Sequence, residues 1–376
     1  MVRMLTETPR AGAAAAAPAT RVVSGLRAAL LAAACVLPCG CGTPYLLQAA
    51  HGQWQVLHAR VPIERLLADP HTAPALRAHL QAVRAARQFA SAELGLPDNR
   101  SYRSFADIGR PFVVWNVVAA PEFSVSPRRW CFPIAGCVAY RGYFREARAR
   151  EFAAGLAVQG FDVAVDGVPA YSTLGRFADP VLSSMLSYGD DELAATIFHE
   201  LAHQLLYVRD DSEFNEAFAT TVEDVGLERW LAHLGATQRL QQLRERGRDA
   251  EAFTGLMAAA RARLAQLYAS GVARELMRER KAQILNTLAA DMRALERHAG
   301  VSYPLYEEWM AAGLNNARLA SLSTYSECVP GFKRLLQELG GDLTRFYAAA
   351  RELARQPRAL RHARLCSAAS DPGQPG

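Results

Sequence analysis

The sequence predicts an α+β protein, predominantly helical, with a small mixed sheet and an added long helical hairpin. Three observations carry this. Over most of the chain, apolar residues recur at helical spacing among Ala, Arg and Glu. Runs of β-branched and aromatic residues gather between about residues 105 and 175. Residues 237–298 keep a helix-forming composition for longer than one globular helix usually runs, so they read as two long helices side by side.

Residues 1–40 stand apart from the fold. Arg21 and Arg27 precede an apolar run from Ala28 to Leu37, which is too short to span a bilayer and suits the core of an export signal. Gly40 immediately precedes Cys41. A small residue before a cysteine resembles the lipobox of bacterial lipoproteins. That resemblance implies a lipid on Cys41, attachment to a membrane, and a place in the bacterial cell envelope facing the periplasm. Residues 41–366 then form the mature domain, and residues 367–376, rich in Pro, Gly and Ser, a disordered tail.

Within the domain, Tyr45 to Gln55 reads as a short lead-in. Val61 to Leu94 has helical periodicity broken at Asp69-Pro70, hence two helices, ended by Gly95-Leu96-Pro97-Asp98. Pro111 to Ala120 reads as a buried strand, and Cys137 to Phe144 as a further strand or hairpin edge. Arg145 to Gln159 is a helix stopped by Gly160, Phe161 to Asp166 alternates like a strand, and Val168 to Gly175 is extended. Two helices follow over 190–233. The hairpin over 237–298 turns near 246–249 or at Ser270-Gly271. A polar, aromatic-rich cleft segment covers 300–335, and a final helix runs from Leu343 to about Arg355.

Composition narrows the function classes. The chain has 376 residues, 51% hydrophobic and 21% charged, which suits a sizeable core. The net charge of +5 comes mostly from Arg scattered over Ala- and Leu-rich segments, without a dense basic run interleaved with aromatics, which argues against nucleic-acid binding. Oligomeric state leaves no mark in the sequence. Of the seven cysteines, Cys35, Cys39 and Cys41 belong to the signal region. Cys131 and Cys137 flank a Pro/Gly loop and are a disulfide candidate in an exported protein, and Cys328 and Cys366 are the remaining pair.

The chemistry gathers in His199-Glu200-Leu201-Ala202-His203, a His-Glu-x-x-His signature. Residues four apart lie one helical turn above each other, so both imidazoles can face one metal ion. Glu200 stands about 100° further round, where a base must be to take a proton from a water that the metal activates. Asp190, Asp191 and Glu192 suit a helix start, and Leu193, Ile197, Leu201 and Leu205 give the helix an apolar side. Catalytic zinc usually takes three protein ligands and keeps a position open. Ser212 reads as the N-cap of a second helix, on which Glu216, Thr220 and Glu223 share a face. Twelve residues separate His203 from Glu216 and nineteen separate it from Glu223. Glu216 is the preferred third ligand and Glu223 the runner-up, with Asp224 or Thr220 available to orient a ligating imidazole. Ala170 to Gly175, including Tyr171, is a candidate edge on which a peptide adds as a strand. Asn315, Asn316 and Tyr325 are candidates for contacting substrate or stabilising an oxyanion.

The run from Leu193 to Trp230 resembles a bacterial family of zinc aminopeptidases assigned from sequence, many of them predicted lipoproteins. The likeness extends to Gly95-Leu96-Pro97-Asp98, Trp115-Asn116-Val117-Val118, the Cys131–Cys137 segment, Tyr140 to Phe144, Val168 to Gly175 and Asn315-Asn316-Ala317, and so covers most of residues 45–335. It implies a zincin-like core and hydrolysis of peptides with Zn²⁺ as cofactor. In that reading His199, His203 and Glu216 hold the metal, with Glu200 as base. The chain has no Gly-x-Met-x-Asn motif for gripping a free substrate amine, so the sequence leaves exopeptidase and endopeptidase both open. The alternative is a non-catalytic envelope lipoprotein stabilised by zinc and acting in binding or assembly.

Overall fold

The computed structural model describes residues 43–132, 136–299, 310–311 and 313–366. Cys41, the export segment, most of 300–312 and the tail from 367 lie outside the described residues, as does the side chain of Tyr325. By its contacts the chain divides into residues 1–50 and 51–376.

The stretch read as a short lead-in is helical, α1 (Thr43–His58). After β1 (Arg60–Pro62) come α2 (Ile63–Ala68) and α3 (Pro74–Ala92). They are separated where Pro70 denies the helix a backbone donor, and Pro74 opens α3 at a position that needs none. Strands β2 (Ser104–Ala106), β3 (Val114–Pro121), β4 (Trp130–Phe132), β5 (Gly136–Val138) and β6 (Tyr140–Tyr143) lead to α4 (Glu146–Val158). Then follow β7 (Phe161–Val168) and β8 (Val181–Leu182). The β structure is three small pieces. One sheet is ordered β1-β2-β8, with β2 antiparallel to β1 and parallel to β8. The second has β3 between β6 and β7, all antiparallel. The third is the β4–β5 hairpin, in which Cys131 stands opposite Cys137 and is disulfide-bonded to it.

Ala170 to Gly175 forms no strand. It is a loop drawn inward by its own polar groups. Thr173 donates from its backbone N–H and its hydroxyl to Asp179, and Ser184 donates to the Pro169 carbonyl. No extended edge is therefore presented there for a peptide to join.

The helical part begins with α5 (Asp190–Leu205), started by Gly189 at φ 90, a backbone conformation that glycine adopts readily. Helix α6 (Ser212–His233) follows. Its N-cap is Asp211 and not Ser212, because the Asp211 carboxylate is the group that accepts from Phe214 N–H. Helix α6 lies close against α5: a Cβ on Gly226 would sit 2.9 Å from both Leu94 Cδ1 and Phe198 Cδ2. Phe198, Phe214, Phe218 and Leu201 are fully buried between α3, α5 and α6, so most of α5 is core.

Helices α7 (Thr237–Ala269) and α8 (Arg274–Ala299) make the hairpin, turning at Ser270-Gly271 with Gly271 at φ 70. Phe253, Met257 and Leu264 of one arm pack with Ile284, Leu288 and Met292 of the other. The hairpin is fastened to the ends of β3 and β7. Arg278 reaches Glu122 at 2.5 Å and Lys281 reaches Asp162 at 2.6 Å. Helices α9 (Asn316–Ser326), α10 (Val329–Glu338), α11 (Leu343–Arg355) and α12 (Arg358–Leu365) complete the chain, so one more helix follows the segment read as final.

Helix α12 is tied down twice. Cys366 is bonded to Cys328. Arg361 Nε and His362 Nε2 stand 2.6 Å and 2.7 Å from the fully buried carboxylate of Asp211. Burial pushes the Asp211 carboxyl up, but His362 and Arg361 outweigh it and hold it at about 2. An unfolded Asp titrates near 3.9. The folded value is therefore the depressed one. Its contribution is present above pH ~4 and is lost as pH falls towards about 2. We expect a loss of about 2 kcal/mol of unfolding free energy between pH 5 and pH 2.5 that Asp211→Asn lacks, read by urea unfolding at each pH.

Candidate metal centre

Helices α5 and α6 meet with His199, His203 and Glu216 at their contact. His199 Nε2 and His203 Nε2 are 3.1 Å apart. Glu216 Oε2 lies 3.4 Å from the first and 3.5 Å from the second. Two ligands about 2.05 Å from a tetrahedral zinc stand about 3.3 Å apart. The three donors therefore form one face of such a tetrahedron without rearrangement. Their side chains are 15%, 9% and 13% exposed respectively, so the face is largely buried with some access to solvent.

Electrostatics keep the donors in usable states. Burial works to raise the Glu216 carboxyl, but the two imidazoles outweigh it and hold it at about 2, as a carboxylate. Burial opposes charge on His199, yet Glu216 and Glu223 together raise its affinity for a proton well above the ordinary value. Metal uptake must displace that proton.

Glu223 does not join the donor face. It is two turns further along α6, and its Oε2 stands 2.8 Å from His199 Nδ1. A carboxylate only accepts, so Nδ1 keeps its proton on Glu223, and the proton that metal uptake displaces is the one on Nε2, which faces His203 and Glu216. Glu223 thus holds the orienting place considered for Asp224 or Thr220. Asp224 pairs with Lys333 at 2.9 Å.

Glu200 projects beside the donor face and is 8% exposed. Burial raises its carboxyl above the ordinary range, the two imidazoles pull it back, and Glu216 and Asp179 add to the rise. A carboxylate displaced upward in this way accepts a proton more readily than an ordinary one. The turn between α5 and α6 is braced from outside. Cys137 N–H donates to Asp210 Oδ1 at 2.5 Å, and Arg129 donates to the Asp210 carbonyl at 2.7 Å. The disulfide-bonded hairpin thereby supports the turn that sets the spacing of His203 and Glu216.

A match to the family described as "Putative aminopeptidase" runs over residues 44–365. The chain belongs to this family. Membership gives the chain a peptidase role and a peptide substrate at the level of the family. Comparison with curated proteins and with solved structures returns no match.

Other residues singled out from the sequence have partners of their own elsewhere in the fold. Asn316 is fully buried: it donates to the Pro121 and Glu122 carbonyls and accepts from the Tyr268 hydroxyl. Asn315 donates to the Val163 carbonyl and accepts from Arg318 N–H. These amides join α9 to the strand ends. Tyr171 donates to Gln53 and packs edge-on to Phe144. Tyr325 belongs to α9 by its backbone.

Residues that the sequence did not flag meet at Gln204, one turn beyond Glu200 on α5. Gln204 accepts from Asn99 at 2.7 Å and donates to Ser101 and Asp179 at 3.3 and 3.4 Å. The only local hint was a polar run after Gly95, in a chain otherwise rich in apolar residues.

Proposed function

We propose that the chain is a zinc-dependent peptidase with a zincin-like core. It acts as an aminopeptidase, as its family name has it, in the bacterial cell envelope, exported and lipid-anchored at Cys41. The observation that carries this reading is the convergence of two Nε2 atoms and one carboxylate oxygen within 3.1–3.5 Å of each other, with Glu200 on the same helix. Two imidazoles and one carboxylate are a usual catalytic zinc set, with the fourth position left open. When bound, zinc supplies Lewis acidity that activates a water and polarises the peptide carbonyl. Glu200 takes the proton of the attacking water and delivers it to the amine that leaves. One water enters, the C–N bond breaks, and a carboxylate and an amine depart. Glu223 keeps the His199 ring from turning, and Glu216 stays anionic throughout.

The position of Glu223 favours this reading over a closed structural staple. A four-ligand site would need Glu223 at the metal, and it stands instead on the outer nitrogen of His199. The apolar residues of the hairpin face each other, which weighs against an assembly surface along it.

The test is metal analysis of the full chain coupled to digestion of a mixed peptide library. The expected result is about one zinc per chain and release of N-terminal residues, abolished by a chelator and restored by zinc. Internal cleavage would keep the metal chemistry and replace the exopeptidase assignment. Zinc bound without any cleavage would favour the staple.

A further inference from the structure

Tyr102 is a buried residue of the main core that has no part in the reaction as described above. It is 2% exposed and packed in the main core, yet its hydroxyl has no hydrogen-bond partner among the described residues. A buried tyrosine hydroxyl normally has one. Glu200 Oε2 is buried in the same condition.

The fold brings these two groups together. Gln204 is one turn beyond Glu200 on the same helix face, and it is hydrogen-bonded to Asn99 and Ser101. Residues 99–102 therefore run along the face of α5 that carries the base, with Tyr102 next to Ser101. Glu200 is also the charged group that bears most on the Tyr102 hydroxyl, ahead of Asp179. Burial and these carboxylates hold the phenol proton in place, so the hydroxyl is a donor.

The backbone is held to this placement from both sides. Tyr102 has φ 61, the left-handed region, uncommon for so bulky a residue. Its N–H donates to the Asp179 carbonyl at 2.6 Å. Buried Arg87 donates to the carbonyls of Pro97, Asn99 and Ser101. Filling a core with an aromatic ring requires neither the unfavourable φ nor the unpaired hydroxyl. Such strain persists where the surroundings impose it, commonly at working sites.

Resting on the peptidase reading, we infer that Tyr102 is a positioning residue whose hydroxyl hydrogen-bonds the Glu200 carboxylate, directly or through one water, and fixes the base in its working orientation. Catalytic hydrogen bonds of this kind are often long in the free enzyme and tighten around the bound substrate. A donor placed on the base contributes to the proton transfer and nothing to substrate affinity.

The experiment is Tyr102→Phe in the full chain, assayed with a peptide that the wild type cleaves. The expected result is a fall in kcat of about 10–100-fold, with KM within about twofold and zinc content unchanged. The thermal midpoint falls only by what one buried hydrogen bond is worth, and the protein stays folded with its zinc. A structural role would instead lower the midpoint and the zinc content together. A kcat within about threefold of wild type, a loss of zinc, or failure to yield folded protein would each overturn the inference. Glu200→Gln is assayed in parallel. If that variant still hydrolyses at the wild-type rate, the peptidase reading fails. If it is inactive while Tyr102→Phe is fully active, only the role of Tyr102 fails.

Discussion

Glu200→Gln leaves the metal bound and stops hydrolysis. The amide has the size of the carboxylate, so the 8%-exposed position stays filled and His199 and His203 keep their rotamers. It has no basic oxygen, so it neither takes the proton of the attacking water nor returns one to the leaving amine. General acid–base catalysis of this type is worth about 10²–10⁴-fold, and the loss falls on kcat. Stability is unchanged or slightly higher, because a buried carboxyl that Glu216 and Asp179 crowd has become neutral. The measurement is kcat, KM, zinc content and thermal midpoint on one preparation. Hydrolysis within tenfold of wild type, with zinc retained, would remove Glu200 from the reaction.

The second large effect separates the two acidic residues of α6. Glu216→Ala removes one of three converging donors, and zinc is lost on dialysis. Glu223→Ala removes only the acceptor of His199 Nδ1. Loss of such an outer partner typically weakens metal binding by about 10–100-fold, and removal of a ligand must exceed that. Competitive zinc titration of both variants gives the order directly. The reverse order, with Glu223→Ala the weaker binder, would move the third ligand two turns along the helix and restore the runner-up.

How much of this was legible depended on distance along the chain. His199, Glu200 and His203 are related by the pitch of one helix, so their spacing alone placed them on adjacent faces. The two helices before Gly95, the strand over most of 111–120 and the hairpin over 237–298 were legible for the same reason, since each shows its own period or composition. Glu216 and Glu223 are seven residues apart and lie on one face of α6. Periodicity could rank them only by their distance from the connection. The crossing of α5 and α6, set by the contact at Gly226 and the packing of Phe198, decides which carboxylate meets the two Nε2 atoms.

Asn315, Asn316 and Tyr171 were ambiguous in sequence because polar residues in an unusual segment look the same whether they serve a substrate or satisfy buried partners. Only the partners distinguish the two cases, and here the partners are Val163, Pro121, Glu122 and Gln53. Tyr102 was silent for the opposite reason. It sits 98 positions before Glu200 in a turn with no period of its own, and only burial without a partner marks it.

The amino-acid sequence by itself determined the class of the fold and the side of one helix that carries His199 and His203, because hydrophobic period and helical pitch are local properties of the chain. The tertiary structure decided which carboxylate completes the donor face, which one steadies the imidazole, and what stands behind the base. Those are contacts between segments far apart, and side-chain packing between helices sets them to within an ångström where no spacing rule reaches.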